Sequence, residues 1–215
     1  MKKIALVLLM FLSFYSNAQE YKLEEKTVTG IFEMNGKTKA ELFSAINKWI
    51  SVNYKSTKTV VQLNDAEGGN IIIEGITEGK FNIKPFWPKL KRDKYEIVKF
   101  NHLIELNIVD NKLKMIYKIT SLANIKHSKA KTECSNECDK NTLNCINFNG
   151  VDDNSIMVYN KFLESIYSRM RTEKIEKYQS LSKPMFEELN SNLISNIKIT
   201  MESIAKSTTV SSDGL

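Results

Sequence analysis

Between Tyr95 and Ile119 the side chains alternate in a way that admits few structures. His102, Ile104, Leu106 and Ile108 share one face of the first half, and Leu113, Met115, Tyr117 and Ile119 oppose Lys112, Lys114 and Lys118 in the second. A period of two puts successive side chains on opposite sides of a strand, and Asp110-Asn111 is a turn pair, so this stretch is an antiparallel hairpin. One of its faces is apolar and the other charged. A sheet of that kind is covered on one side only, and helices must provide the cover.

The flanking sequence supplies more strands and the helices. Lys26 to Met34 reads as a strand, with Val28, Phe32 and Met34 on one face and Thr27, Thr29, Ile31 and Glu33 on the other. Asn35-Gly36 turns the chain, and Thr38 followed by Glu41 is a capping box. It opens a helix to about Asn53, with Leu42, Ala45, Ile46, Trp49 and Ile50 along one side. Lys58 to Asn64 and Asn70 to Thr77 form a hairpin about Asp65-Ala66-Glu67-Gly68-Gly69. Beyond Asp153-Asn154 a helix is predicted from Ser155 to about Lys177. Ser182 and Pro184 suit the start of another, from Lys183 to Lys206, in which Phe186, Leu189, Leu193, Ile197, Met201 and Ile204 recur by threes and fours.

The amino terminus reads as an export signal. Lys2 and Lys3 precede an apolar run of 12 residues from Ile4 to Tyr15, and Ser16-Asn17-Ala18 offers small residues for cleavage after Ala18. That run is well short of the roughly 20 residues that span a bilayer, and no cysteine near the cut suggests a lipid anchor. The expectation is a secreted or periplasmic chain with no transmembrane segment after processing. The domain reading is a signal peptide at 1–18, an α+β domain at 19–178 with an irregular cysteine-bearing loop at 124–154, a helical extension at 179–207 and a disordered tail at 208–215.

The pattern Thr38, Glu41, Leu42 and Trp49 in a helix, then Asp65, Gly69, Ile71 and Gly75 in a hairpin, resembles a family of secreted bacterial proteins described as a domain of unknown function with a TATA-binding-protein-like (TBP-like) fold. The resemblance covers about Val28 to Ile119. It implies an α+β fold: a curved antiparallel sheet of five or six strands wrapped on a long helix, helix-grip-like. The gripped element would be the helix from Ser155 to about Lys177. The cysteine-bearing loop and an extra C-terminal helix lie outside the pattern. The resemblance implies a fold and export, and no activity.

Charge is concentrated rather than spread. Loss of Lys2 and Lys3 lowers the formal charge from +6 to +4, too little to imply nucleic acid. From Lys80 to Lys99, however, seven basic residues face only Asp93 and Glu96, and Phe81, Phe86, Trp87 and Tyr95 are interleaved with them. Phe86, Trp87, Lys89, Lys91 and Arg92 are the candidate contact patch, for an envelope protein or an anionic surface. The competing reading is a solvated loop whose aromatics pack back on the sheet.

No residue set points to catalysis, a cofactor or a metal. Gly-x-Ser-x-Gly, His-Glu-x-x-His and a phosphate-cradling glycine loop are absent. His102 lies on the apolar face of its strand as a satisfied core-edge histidine, and Asp65 with Glu67 occupies a turn. Cys134, Cys138 and Cys145 in an oxidising compartment predict one disulfide and one spare thiol, with the pairing open; with His127 they also make a Cys3His set whose spacings match no familiar zinc pattern. The functional expectation is a non-catalytic binding or assembly module of the cell envelope. The alternative is a carrier of an apolar ligand or lipid held between sheet and helix.

Overall fold

The structure is a computed structural model. It describes residues 19–123, 135–166 and 171–209; the side chains of residues 19, 135–139 and 166 are not described. Six strands build one antiparallel sheet: β1 (Gln19–Glu24), β2 (Thr27–Glu33), β3 (Val61–Asp65), β4 (Asn70–Asn82), β5 (Tyr95–Val109) and β6 (Lys112–Leu122). Their order is β1-β2-β6-β5-β4-β3. Register shifts at Asn101/His102 and Val61/Leu63 add residues to one strand of a pair, which bends and twists a sheet locally.

The expected alternation is present. Val28, Phe32, Ile104, Leu106, Ile108, Leu113, Met115, Tyr117 and Ile119 are buried on one face, while Lys112, Lys114 and Lys118 lie exposed on the other. One strand is added to the sequence reading: β1 pairs with β2 from Gln19↔Phe32 to Glu24↔Thr27.

Helix α1 (Lys39–Asn53) starts where expected. The Thr38 hydroxyl accepts from the Glu41 N–H, and the Glu41 carboxylate accepts from the Thr38 N–H and from the Thr38 hydroxyl, which hold the carboxyl below its usual range. A single turn, α2 (Thr57–Val60), leads into β3. After β6 come α3 (Ser135–Asn144), α4 (Asp153–Ile166) and α5 (Thr172–Thr209). Asp152 caps α4 by accepting from the Ser155 N–H at 2.9 Å, which holds its carboxyl low.

The sheet's long cover is α5, and this corrects the helix assignment made from sequence. Instead of a gripped helix from Ser155 to Lys177 followed by a separate one, α4 ends at Ile166 and α5 runs unbroken from Thr172 through Pro184. Proline lacks an N–H and so withholds the helical bond to the Ser180 carbonyl, yet one missing bond is outweighed by the apolar stripe that follows. Phe186, Leu189, Leu193, Ile197, Met201 and Ile204 are all fully buried, each worth roughly 2 kcal/mol in transfer from water. Helix α4 packs alongside the first half of α5 instead: Lys183 pairs with Asp153 at 2.6 Å, the Gln179 amide donates to Glu164 at 2.7 Å, and Tyr159 meets Phe186 edge-on.

Candidate functional site

The candidate patch lies on the loop that joins β4 to β5. Proline offers no N–H to a ladder, so the Asn82↔Tyr95 pair is the last, and Pro85 and Pro88 carry the chain outward. The loop is closed at its neck, where the Ile83 N–H donates to the Lys94 carbonyl at 2.8 Å. Inside it, turn bonds run from Phe86 and Trp87 to Ile83 and from Leu90 to Trp87. Ile83 is buried as an anchor. Asp93 is engaged within the loop: bonds from Asn82, then Lys84, hold its carboxyl below the usual range, and Lys84 lies 3.3 Å away.

The structure divides the five predicted residues. Phe86 points inward, half-buried, with ring centroids 6.5 Å from Phe81 and 5.8 Å from Tyr178 of α5. It is a peg that holds the loop to α5. Trp87 lies with its ring centroid 6.2 Å from that of Phe86 and 54% of its surface exposed, and Lys89, Lys91 and Arg92 are exposed beside it in sequence. Lys89, Lys91, Arg92 and Lys94 make no ion pair among the described residues. At the foot of the loop, on the uncovered sheet face, Tyr95 and Ile97 are 47% and 52% exposed, and the Lys80 ammonium sits 5.3 Å above the Tyr95 ring. Ile97 was missed from sequence. Its signal was the period of two itself, which places it on the charged face with Tyr95 and Lys99.

A second missed feature is how α5 treats the sheet edge. β3 pairs only with the start of β4, up to Ile73, so the rest of β4 is an edge whose backbone groups need partners. Helix α5 meets them with residues four apart. Glu188 accepts from the Asn82 N–H at 3.0 Å, Asn192 from the Lys80 N–H at 3.0 Å, and the Asn196 amide donates to the Glu78 carbonyl at 2.7 Å. The contact is tight: a Cβ at Gly79 would lie 2.6 Å from Leu189, and one at Gly30 would lie 2.8 Å from Met201. Along this line helix and sheet touch directly.

The remaining candidates have packing roles or fall outside the described residues. Asp65 accepts from the Gly68 N–H at 2.9 Å, a turn bond. His102 is 4% exposed, with its ring 4.5 Å from that of Tyr117, but neither ring nitrogen has a hydrogen-bond partner among the described residues; the satisfied histidine expected from sequence is not what the core holds. Burial pushes its pKa down to about 4, so the ring is neutral. Burial also raises the Tyr117 hydroxyl, and Tyr54 beside it. Cys145 is a free, fully buried thiol, and burial, with a smaller contribution from Asp152, pushes its pKa up to about 12. Such a thiol is unreactive. Cys134, His127, the Cys138 side chain and Ala18 lie outside the described residues. No helix among the described residues is long and apolar enough to cross a membrane.

An antiparallel sheet with helices on one side only, spanned by a long C-terminal helix, is an α+β architecture of the TBP-like class. Residues 29–123 match the model of the family described as "Domain of unknown function (DUF4468) with TBP-like fold", and this stretch is a domain of that family. Among solved structures, the chain resembles a TBP-like protein from Parabacteroides distasonis ATCC 8503, with a TM-score of 0.50 at 13% identity over 86% of this chain and 92% of that one. A DUF4468 family protein from Bacteroides ovatus ATCC 8483 has a TM-score of 0.46 at 11% identity, over 89% of this chain and 90% of that one. No curated protein is significantly similar in sequence. The likeness to the Parabacteroides distasonis protein establishes the fold.

Proposed function

We propose that the chain is an exported, non-catalytic binding module of the cell envelope, and that the 83–94 loop is where it meets an anionic component of that envelope. The observation that carries this reading is Trp87, held half in water on a proline-bounded loop among four cations that make no ion pair among the described residues. A large aromatic in that setting costs hydration free energy unless a partner covers it. Export rests on the 1–18 signal, with its apolar run and the small residues before the cut after Ala18.

The test is site-specific photo-crosslinking in intact cells, with the probe at position 87 or, as a control, at the exposed Glu67 in the β3–β4 turn. Adducts should form from position 87 and disappear when Lys89, Lys91 and Arg92 are replaced by Glu. Equal yields from both positions would discard the loop as the contact surface. Sequencing of the isolated protein should start at Gln19.

A further inference from the structure

We infer that the anionic component met by the 83–94 loop is the phosphate-bearing surface of a lipid bilayer, with Trp87 seated at the headgroup level; this rests on the reading of the loop as a contact surface. Three observations favour lipid over an acidic protein. First, the loop's unpaired cations are three lysines and one arginine, Lys89, Lys91, Lys94 and Arg92. Arginine, with its planar fork, is enriched where proteins bind proteins, and lysine is depleted there. Compact, strongly hydrated ammonium groups on flexible stems suit a diffuse array of phosphates.

Second, the exposed apolar surface is of the amphipathic kind that partitions to a membrane interface. Trp87 and Tyr95 each present a ring with a polar end, and Ile97 adds an aliphatic side chain. The Lys80 ammonium over the Tyr95 ring adds a cation directly to this aromatic surface. Third, the loop is pegged so that one aromatic is held back while the other is presented. The Phe86 ring rests on Phe81 and Tyr178, and Trp87, with one side against Phe86, keeps 54% of its surface exposed. No helix among the described residues is long and apolar enough to cross a membrane, so the association drawn is peripheral, by one loop.

The experiment uses the chain from Gln19 onward, which holds every described element. Sedimentation with phosphatidylglycerol-containing vesicles is compared with sedimentation with phosphatidylcholine alone. The chain should pellet with the first and stay in solution with the second, and added salt should release it. Each basic residue near an anionic surface multiplies partitioning roughly fivefold, so Lys89→Gln, Lys91→Gln and Arg92→Gln together should weaken binding on the order of a hundredfold. Trp87→Phe should remove the vesicle-induced blue shift in emission and leave the slope against salt unchanged, which separates insertion from charge attraction. Circular dichroism of each variant should match the parent, since the replaced side chains are exposed.

Equal pelleting with both lipids, or undiminished binding by the triple variant, would overturn the inference. If position 87 crosslinks an envelope protein while anionic vesicles leave the chain in the supernatant, the loop remains the contact surface and the lipid assignment fails. If it neither crosslinks any component nor binds vesicles, both readings fail.

Discussion

The two ends of the β4–β5 ladder are built on opposite principles. At one end the β5–β6 turn is locked to its surroundings: the Met34 N–H donates to the Asn111 carbonyl at 2.7 Å, the Asn111 side chain accepts from the Gly36 N–H at 2.7 Å, and Asp110 accepts from the Lys39 N–H, also at 2.7 Å. That last bond puts a carboxylate on the first turn of α1, where the helix dipole favours negative charge. Lys39 in turn donates to the Glu67 carbonyl, and the Ile108 N–H to that of Gly69. At the other end twelve residues leave the ladder after Asn82 and return at Tyr95, held at the neck and by one aromatic peg. Closure by many mutual bonds makes a turn that stabilises the fold; closure at the neck and by one peg leaves the tip exposed.

That contrast is broken most severely at Gly69. Its φ of +71° is one that L side chains rarely adopt, and a Cβ there would collide with the Ile108 carbonyl oxygen, a backbone atom that cannot swing aside. Gly69→Val should cost about 4 kcal/mol in urea unfolding or prevent folding altogether. A loss below about 1 kcal/mol would show that the locked end relaxes freely.

Acid tests the core between the two ends. Folded His102 titrates at about 4, against about 6.5 in an unfolded chain. Between those values the unfolded chain holds a proton that the folded one excludes, so stability is full above pH 6.5 and falls as pH drops toward 4. The loss is roughly 3 kcal/mol, and its upper part, above about pH 5.5, lies clear of the range where unfolded carboxylates titrate. His102→Phe, which suits the contact with the Tyr117 ring, should flatten that slope. An unchanged slope would relocate the proton.

A smaller effect is expected along the β4 edge. Asn192→Ala removes the acceptor of the Lys80 N–H and should cost about 1 kcal/mol; Asn192→Leu should do no better, because the loss is a hydrogen bond and not packing. Hydrogen exchange at the Lys80 amide would report it directly.

These features differ in how far they could be read in advance. The sheet was legible because a side-chain period of two is a local property, and α1 because Thr38 and Glu41 form a capping box within four residues. β1 was missed because Gln19–Glu24 holds only two apolar side chains, Tyr21 and Leu23, on an edge strand. The role of α5 was misassigned because Pro184 is a local signal to stop, whereas the reasons to continue are distant: Gly79 and Gly30 leave room for Leu189 and Met201 across more than a hundred residues. The site divides along the same line. Prolines, aromatics and lysines in a row announced an exposed loop, but which aromatic is peg and which is probe depends on Tyr178, which no local pattern names.

The smallest expected effect is the one that sharpens the comparison most. Trp87→Ala with Lys89→Ala should change unfolding free energy by no more than about 0.5 kcal/mol, because an exposed ring and an unpaired ammonium contribute little to folding. Hydrogen exchange should agree: the Trp87 and Leu90 amides, bonded only within the loop, should exchange through local opening, and the Ile108 and Asn111 amides only with the sheet. Phe86→Ala supplies the contrast inside the loop, since removing the peg should release both neighbours at once and cost more than the exposed pair does. If the exposed pair instead costs about 2 kcal/mol, the loop is a structural lid over Phe81 and α5, and its cations serve solubility alone.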